Sequence, residues 1–164
     1  MKFLGVIKNL KFGEIVTLTG IFIFSPRYFL PTLRATKNTL KNCNVRYGEL
    51  HHSNDRTNAY RHALWNLLIC EECFKVTGNM EKAANWAQKI TDLHEELSPN
   101  LSLEKAMDLH NNRIGRELFK ESIFDKKNSG ELLDKKMGEA VKIDNLPELQ
   151  RRENQLVFIE SRKN

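Results

Sequence analysis

Residues 56–76 read RTNAYRHALWNLLICEECFKV, and this stretch sets the expected architecture. Ala59, Ala63, Leu67, Cys70 and Phe74 recur at helical spacing, and Tyr60, Leu64 and Leu68 widen the stripe. From Ala63 to Cys70 the helix is apolar nearly all round, which predicts a central position in a bundle. Yet Asn58, His62 and Asn66 stand at i, i+4 and i+8, with Arg61 and Trp65 in a row beside them. Polar side chains in register on a helix too apolar for water predict a site built into the core, because burying them without partners costs several kcal/mol.

Two further helices are predicted downstream. Residues 80–97 place Ala83, Trp86, Ile90, Leu93 and Leu97 on one inward stripe, with His94 following on that face and Glu95 one step round. Ser98-Pro99-Asn100 is a stop, and Ser102 is the expected cap of a helix running to about Phe119 or Glu121. On that helix Asp108, Asn111, Asn112 and Gly115 occupy i, i+3, i+4 and i+7, and Arg116 extends the row. His110 is two residues from Asp108, roughly 200° of rotation, and joins Leu103, Met107, Ile114 and Leu118 instead. Asp108 and His110 therefore cannot both reach one ion from a regular helix.

Upstream, a helix from Pro31 to about Cys43 is predicted to turn Leu33, Thr36, Leu40 and Cys43 inward. Residues 44–55 form a loop in which His51 and His52 are expected to be exposed, with Ser53 or Asn54 capping the central helix. Residues 131–141 suit a short solvated helix. QLVFIE at 155–160 is a strand candidate with no identifiable partner in the sequence. The expected fold is a mainly α single-domain helical bundle: a basic, apolar N-terminal element and helix at 1–57, a site-bearing core at 58–120 and a C-terminal extension at 121–164.

With 164 residues, 40% hydrophobic and 29% charged, the chain suits one globular core; collagen-like, disordered and all-membrane classes are excluded. The net charge of +5 is uneven: residues 1–57 hold nine Lys/Arg against three Asp/Glu. That basic segment includes the apolar run IVTLTGIFIF, about ten residues, short of the roughly twenty that span a bilayer. No small-x-small cleavage site follows it, so residues 2–30 read as an amphipathic element that covers the core or lies on a membrane. The chain is expected to be made in the cytoplasm without a cleavable leader, and a leaderless export route stays open. Basic plus apolar points to an anionic membrane surface or lipid substrate, with nucleic acid the weaker partner. Cys43, Cys70 and Cys73 are odd in number, and the lone C-x-x-C lies mid-helix, so buried core thiols are expected.

The site chemistry suggested is hydrolysis. His62, His94, Glu95, Asp108 and His110 are candidate ligands for a divalent metal ion, which lowers the pKa of its water. His62, Asp108 and Asn112 are candidate catalytic residues, and Arg61 or Arg116 would stabilise developing negative charge. A metal-free version has His62 as base, oriented by Asp108.

The motifs NAYRHAxW at 58–65, HE at 94–95 and MDLHNNxxGR at 107–116 resemble the signature of a bacterial domain family. That family occurs as small standalone proteins in Bacteroidetes-type bacteria and as modules of polymorphic toxins and secreted effectors. FLPTLRATK at 29–37 and His51-His52 resemble its Bacteroidetes branch, so the resemblance covers residues 25–120. It marks a family and names no reaction. It implies an antibacterial effector, a hydrolase with an immunity protein as partner. The order H, H-E, D is also similar to HD-type metal phosphohydrolases, with H-E in place of H-D and compressed spacings. A non-catalytic membrane-docking or ligand-binding domain and a nuclease are the alternatives.

Overall fold

The computed structural model describes residues 20, 22–48, 50–98 and 100–159. Most of the apolar run predicted as an N-terminal amphipathic element lies outside the described residues. From Pro26 the chain makes a 3-10 turn, Pro26–Tyr28, and enters helix α1, Phe29–Tyr47. A second short turn, Leu50–His52, precedes the central helix α2, Arg56–Thr77. Helices α3, Met80–Leu97, and α4, Ser102–Asp125, follow and pack on α2 and on each other. The protein is mainly α, a single-domain bundle with one small sheet among the described residues.

The cap of α2 is Asp55, whose carboxylate accepts from the backbone N–H groups of Thr57 (2.8 Å) and Asn58 (3.3 Å). The sequence predicts Ser53 or Asn54 as the cap, but Asp55 is the residue whose carboxylate meets the open N–H groups. Gly78, in the left-handed region at φ 60°, ends α2, and Asn79 caps α3 by accepting from Lys82 N at 2.8 Å.

α1 buries a different face from the one its leucines suggest. Thr32, Ala35, Thr36, Thr39 and Cys43 are buried, while Leu33 is 48% exposed. The reason is hydrogen bonding. Trp65 Nε1 donates to Thr36 Oγ1 at 2.9 Å, and Trp86 Nε1 donates to Thr32 Oγ1 at 2.8 Å. Each threonine hydroxyl in turn donates to the carbonyl four residues back. Two buried indole N–H groups thus select the threonine face.

α2 and α4 pack so closely that a Cβ at Gly115 would lie 2.1 Å from the carbonyl oxygen of Ala63. Cys70 and Cys73 are buried as expected, and burial pushes both thiols up, Cys73 to about 12. After α4, helix α5, Ser129–Gly138, leads into β1, Val141–Lys142, and helix α6, Leu146–Gln150, into β2, Val157–Phe158. The strand predicted at 155–160 finds its partner here: β1 and β2 pair in parallel, Val141 opposite Val157. Asn111 on α4 clamps β2, donating to Val157 O (2.9 Å) and accepting from Val157 N (3.0 Å).

Candidate metal and acid–base site

The helix rows read from sequence meet at the junction of α2, α3 and α4. Asn58, His62 and Asn66 from α2, Glu95 from α3, and Asp108 and Asn112 from α4 are all buried. Each arrives there by helical register. Glu95 follows Ala87 and Thr91 on the face of α3 turned to the other two helices, while His94 lies to the side, edge-on to Trp65 at 5.2 Å. The inward position therefore belongs to Glu95.

The imidazole of His62 is the centre. Its Nε2 is 2.9 Å from Arg61 Nη2 and 3.3 Å from Asp108 Oδ1; its Nδ1 is 3.2 Å from Asn112 Oδ1 and 3.4 Å from Glu95 Oε1. A guanidinium can only donate, so Nε2 accepts and the ring proton sits on Nδ1, where it donates to Asn112. Asn112 Nδ2 donates to Glu95 Oε1 at 3.2 Å, and Asn112 Oδ1 also accepts from Asn66 Nδ2 at 2.7 Å. Asp108 is held on both oxygens, by Asn58 Nδ2 at 3.4 Å and by Asn100 Nδ2 at 3.1 Å. Arg61 also donates to Asn58 Oδ1 at 2.6 Å and to the carbonyl of His51. Asn100 and Thr91, which donates to Asn66 Oδ1 at 3.2 Å, are members that the sequence reading missed. Thr91 could have been found as the polar residue one turn before Glu95; nothing marked Asn100.

Burial governs the protonation states. Desolvation pulls His62 down to about 4, against the charge of Asp108, and pulls His94 to about 4 as well. It pushes Asp108 up to about 6, with the charge of Glu95 adding to the effect, and raises Glu95 too. At neutral pH the histidines are neutral and Nε2 of His62 carries a lone pair.

Not every predicted residue belongs. His110 is withdrawn from the ligand set: its Nε2 is 2.8 Å from the carbonyl of Gln155, so it serves the C-terminal segment. Asn111 turns to β2, not to the site. Arg116 reaches the network at its far end, donating to Asn66 Oδ1 at 2.9 Å. His51, expected in an exposed loop, is fully buried, with Nε2 2.6 Å from Asn44 Oδ1.

His62, Glu95 and Asp108 each offer a ligand atom, all within 4.8 Å of one another. Donors around one ion at roughly 2.1 Å lie about 3 to 3.5 Å apart, so small side-chain adjustments suffice. The donor set, one imidazole and two carboxylates, suits a divalent cation. Glu95 Oε2 is buried and meets no hydrogen-bond donor among the described residues. The group can hold a metal ion. An ion would compete with Arg61 for Nε2, since Arg61 occupies that side of the ring.

Access is narrow. The cavity that touches His62 measures ≈10 Å³ and is lined by Thr36, Thr39, Leu40, Arg61, His62 and Trp65, room for about one water. This cavity lies between α1 and α2, on the side of His62 that faces α1.

A mainly α bundle with a buried histidine–dicarboxylate cluster is the class that fold and site define. Residues 19–142 match the family described as a domain of unknown function (DUF6973), and the chain belongs to that family. Comparisons with curated proteins and with solved structures gave no match.

Proposed function

We propose that the domain is a metal-assisted hydrolase of an ester or phosphoester, with His62, Glu95 and Asp108 holding a divalent ion. The observation that supports it best is the bare Oε2 of Glu95 in a buried cluster with a second carboxylate and a lone-pair nitrogen. A buried carboxylate oxygen without a donor is costly unless a cation meets it. When bound, the ion would bring the pKa of a water toward neutrality and polarise the substrate oxygen. Asp108 would help to hold the ion, with Asn58 and Asn100 fixing its two oxygens, and the oxygen not bound to the ion would be the proton acceptor of the site. Arg61 is the cation placed to stabilise negative charge beside His62. Asn112 holds the tautomer of His62 and the position of Glu95.

The substrate in this proposal is a phospholipid or another lipid ester at an anionic membrane. α1, which walls the cavity, also exposes Phe29, Leu30 and Leu33, with Ile23 and Phe24 before it and Arg27 and Lys37 among them. No described helix is long and apolar enough to cross a membrane. A secreted antibacterial role with an immunity protein belongs to the same proposal and rests on the motif resemblance. The test is hydrolysis of anionic phospholipid vesicles with and without chelator, for wild type, His62→Ala and Asp108→Ala, with circular dichroism to check folding. Chelator and either substitution should abolish turnover; equal turnover in folded mutants would sink the assignment.

The second reading is a non-catalytic ligand-binding or membrane-docking domain, favoured by the small size of the cavity beside His62. It requires vesicle binding without turnover in the same assay. A nuclease is the third, and salt-sensitive DNA binding would support it.

A further inference from the structure

Away from the His62 cavity, the outer faces of α3 and α4 leave a second pocket of ≈230 Å³. Ala84, Asn85 and Gln88 line it from α3; Arg113, Arg116, Glu117 and Lys120 line it from α4. Two of its three cations are already matched. Arg113 pairs with Glu117 at 2.5 Å, and Lys120 pairs with Glu81 at 2.9 Å. Arg116 is different. Its guanidinium is partly buried and bonds the neutral amide oxygen of Asn66 at 2.9 Å. Among the described residues no carboxylate comes within ion-pair distance of it, and Asp92 and Glu117 act on it through space alone. Burial accordingly holds its pKa below the ordinary arginine value.

A guanidinium has five N–H donors in a planar fork, and one contact to an amide leaves most of them unused. A partly buried cation without a counter-charge is unfavourable, and a pocket beside it with room for several waters is where a counter-charge would sit. The rim adds amide donors from Asn85 and Gln88 and the ammonium of Lys120, whose bond to Glu81 is solvent-exposed and weak. The lining holds three cations against one carboxylate.

The geometry points to a phosphate-binding site in the α3–α4 pocket, in which Arg116 takes a phosphoryl group and Asn85, Gln88 and Lys120 close its rim. The ligand class is inorganic phosphate or the terminal phosphate of a small phosphomonoester. The site is separate from the His62 cluster and needs no metal. It communicates with that cluster through Arg116–Asn66, Asn66–Asn112 and Asn112–Glu95 hydrogen bonds of 2.9, 2.7 and 3.2 Å.

The experiment is isothermal titration calorimetry of the full chain in chelator-containing buffer. Sodium phosphate, glycerol phosphate and sodium chloride are injected in turn at matched ionic strength. Saturable one-to-one binding of phosphate that chloride does not reproduce is expected; glycerol phosphate binding as tightly would place a monoester in the pocket, and weaker binding would favour the free ion. Arg116→Gln should weaken phosphate binding by roughly tenfold or more, the scale of a charge-assisted bidentate contact. Lys120→Ala, on the surface and safe for folding, should weaken it by about threefold. Wild type that binds phosphate no better than chloride overturns the proposal. So does undiminished affinity in folded Arg116→Gln, or in Lys120→Ala should Arg116→Gln fail to fold.

Discussion

Replacing Gly115 with alanine tests whether the contact of α2 with α4 is what assembles the cluster. The added Cβ would lie 2.1 Å from Ala63 O, 2.8 Å from Ala63 C and 2.9 Å from Ala63 Cα. These are backbone atoms that no rotamer change can move, so the helices must separate by on the order of an ångström. Alanine is the better helix former by about 1 kcal/mol, which opposes the loss. Overpacking costs about 1–3 kcal/mol. Separation also stretches the Asn66–Asn112, His62–Asn112 and Asn58–Asp108 bonds, now 2.7, 3.2 and 3.4 Å, each worth about 1 kcal/mol. The net expectation is a loss of about 2–4 kcal/mol and a Tm lower by roughly 5 to 15 °C. Urea denaturation followed by circular dichroism measures it. Gly138→Ala is the control, because a Cβ there meets nothing within 4 Å. A Gly115→Ala chain as stable as the control would refute the reasoning.

Asn111→Ala should cost about 2–3 kcal/mol, since it strips both buried backbone groups of Val157, and hydrogen exchange should show the loss concentrated at residues 157–159. Thr36→Val should cost about 1–2 kcal/mol by leaving the Trp65 N–H without its acceptor, with a shifted tryptophan emission as the local readout. For pH, the depressed histidines contribute stability that is full above about 6.5 and lost as pH falls toward 4. The raised Asp108 works oppositely: its contribution is full below about 3.8 and lost as pH rises through 6. Glu95 acts in the same sense as Asp108, and His94 keeps a partly exposed edge, so chelator-treated wild type should change little between pH 6 and 4. Asp108→Asn removes one opposing carboxylate and should make the chain lose about 1.4 kcal/mol more per pH unit on acidification across that window, read from urea midpoints. A mutant profile parallel to wild type would contradict the assigned protonation states.

The sequence carried the bundle and the rows of the cluster because both follow from helical periodicity. Asn58, His62 and Asn66 share a face in any regular helix, and Asp108 and Asn112 do likewise. The 200° between Asp108 and His110 correctly sent them to different surroundings. What stayed hidden depended on partners far along the chain. Asn111 had the register of Asp108 but turned to β2, whose own partner is a two-residue strand too short to read. The threonine face of α1 was chosen by two indoles on other helices, which outweighed the leucine pattern. Between His94 and Glu95, a single step of 100° decided which faced inward, and periodicity does not resolve one step at a helix end.

Whether His62, Glu95 and Asp108 hold an ion is answered most directly by titrating the chelator-treated protein with zinc and manganese in a calorimeter. One ion per chain is predicted for wild type, with affinity lost in folded Glu95→Gln and in His62→Ala. No binding by wild type, or binding unchanged in Glu95→Gln, would contradict the account.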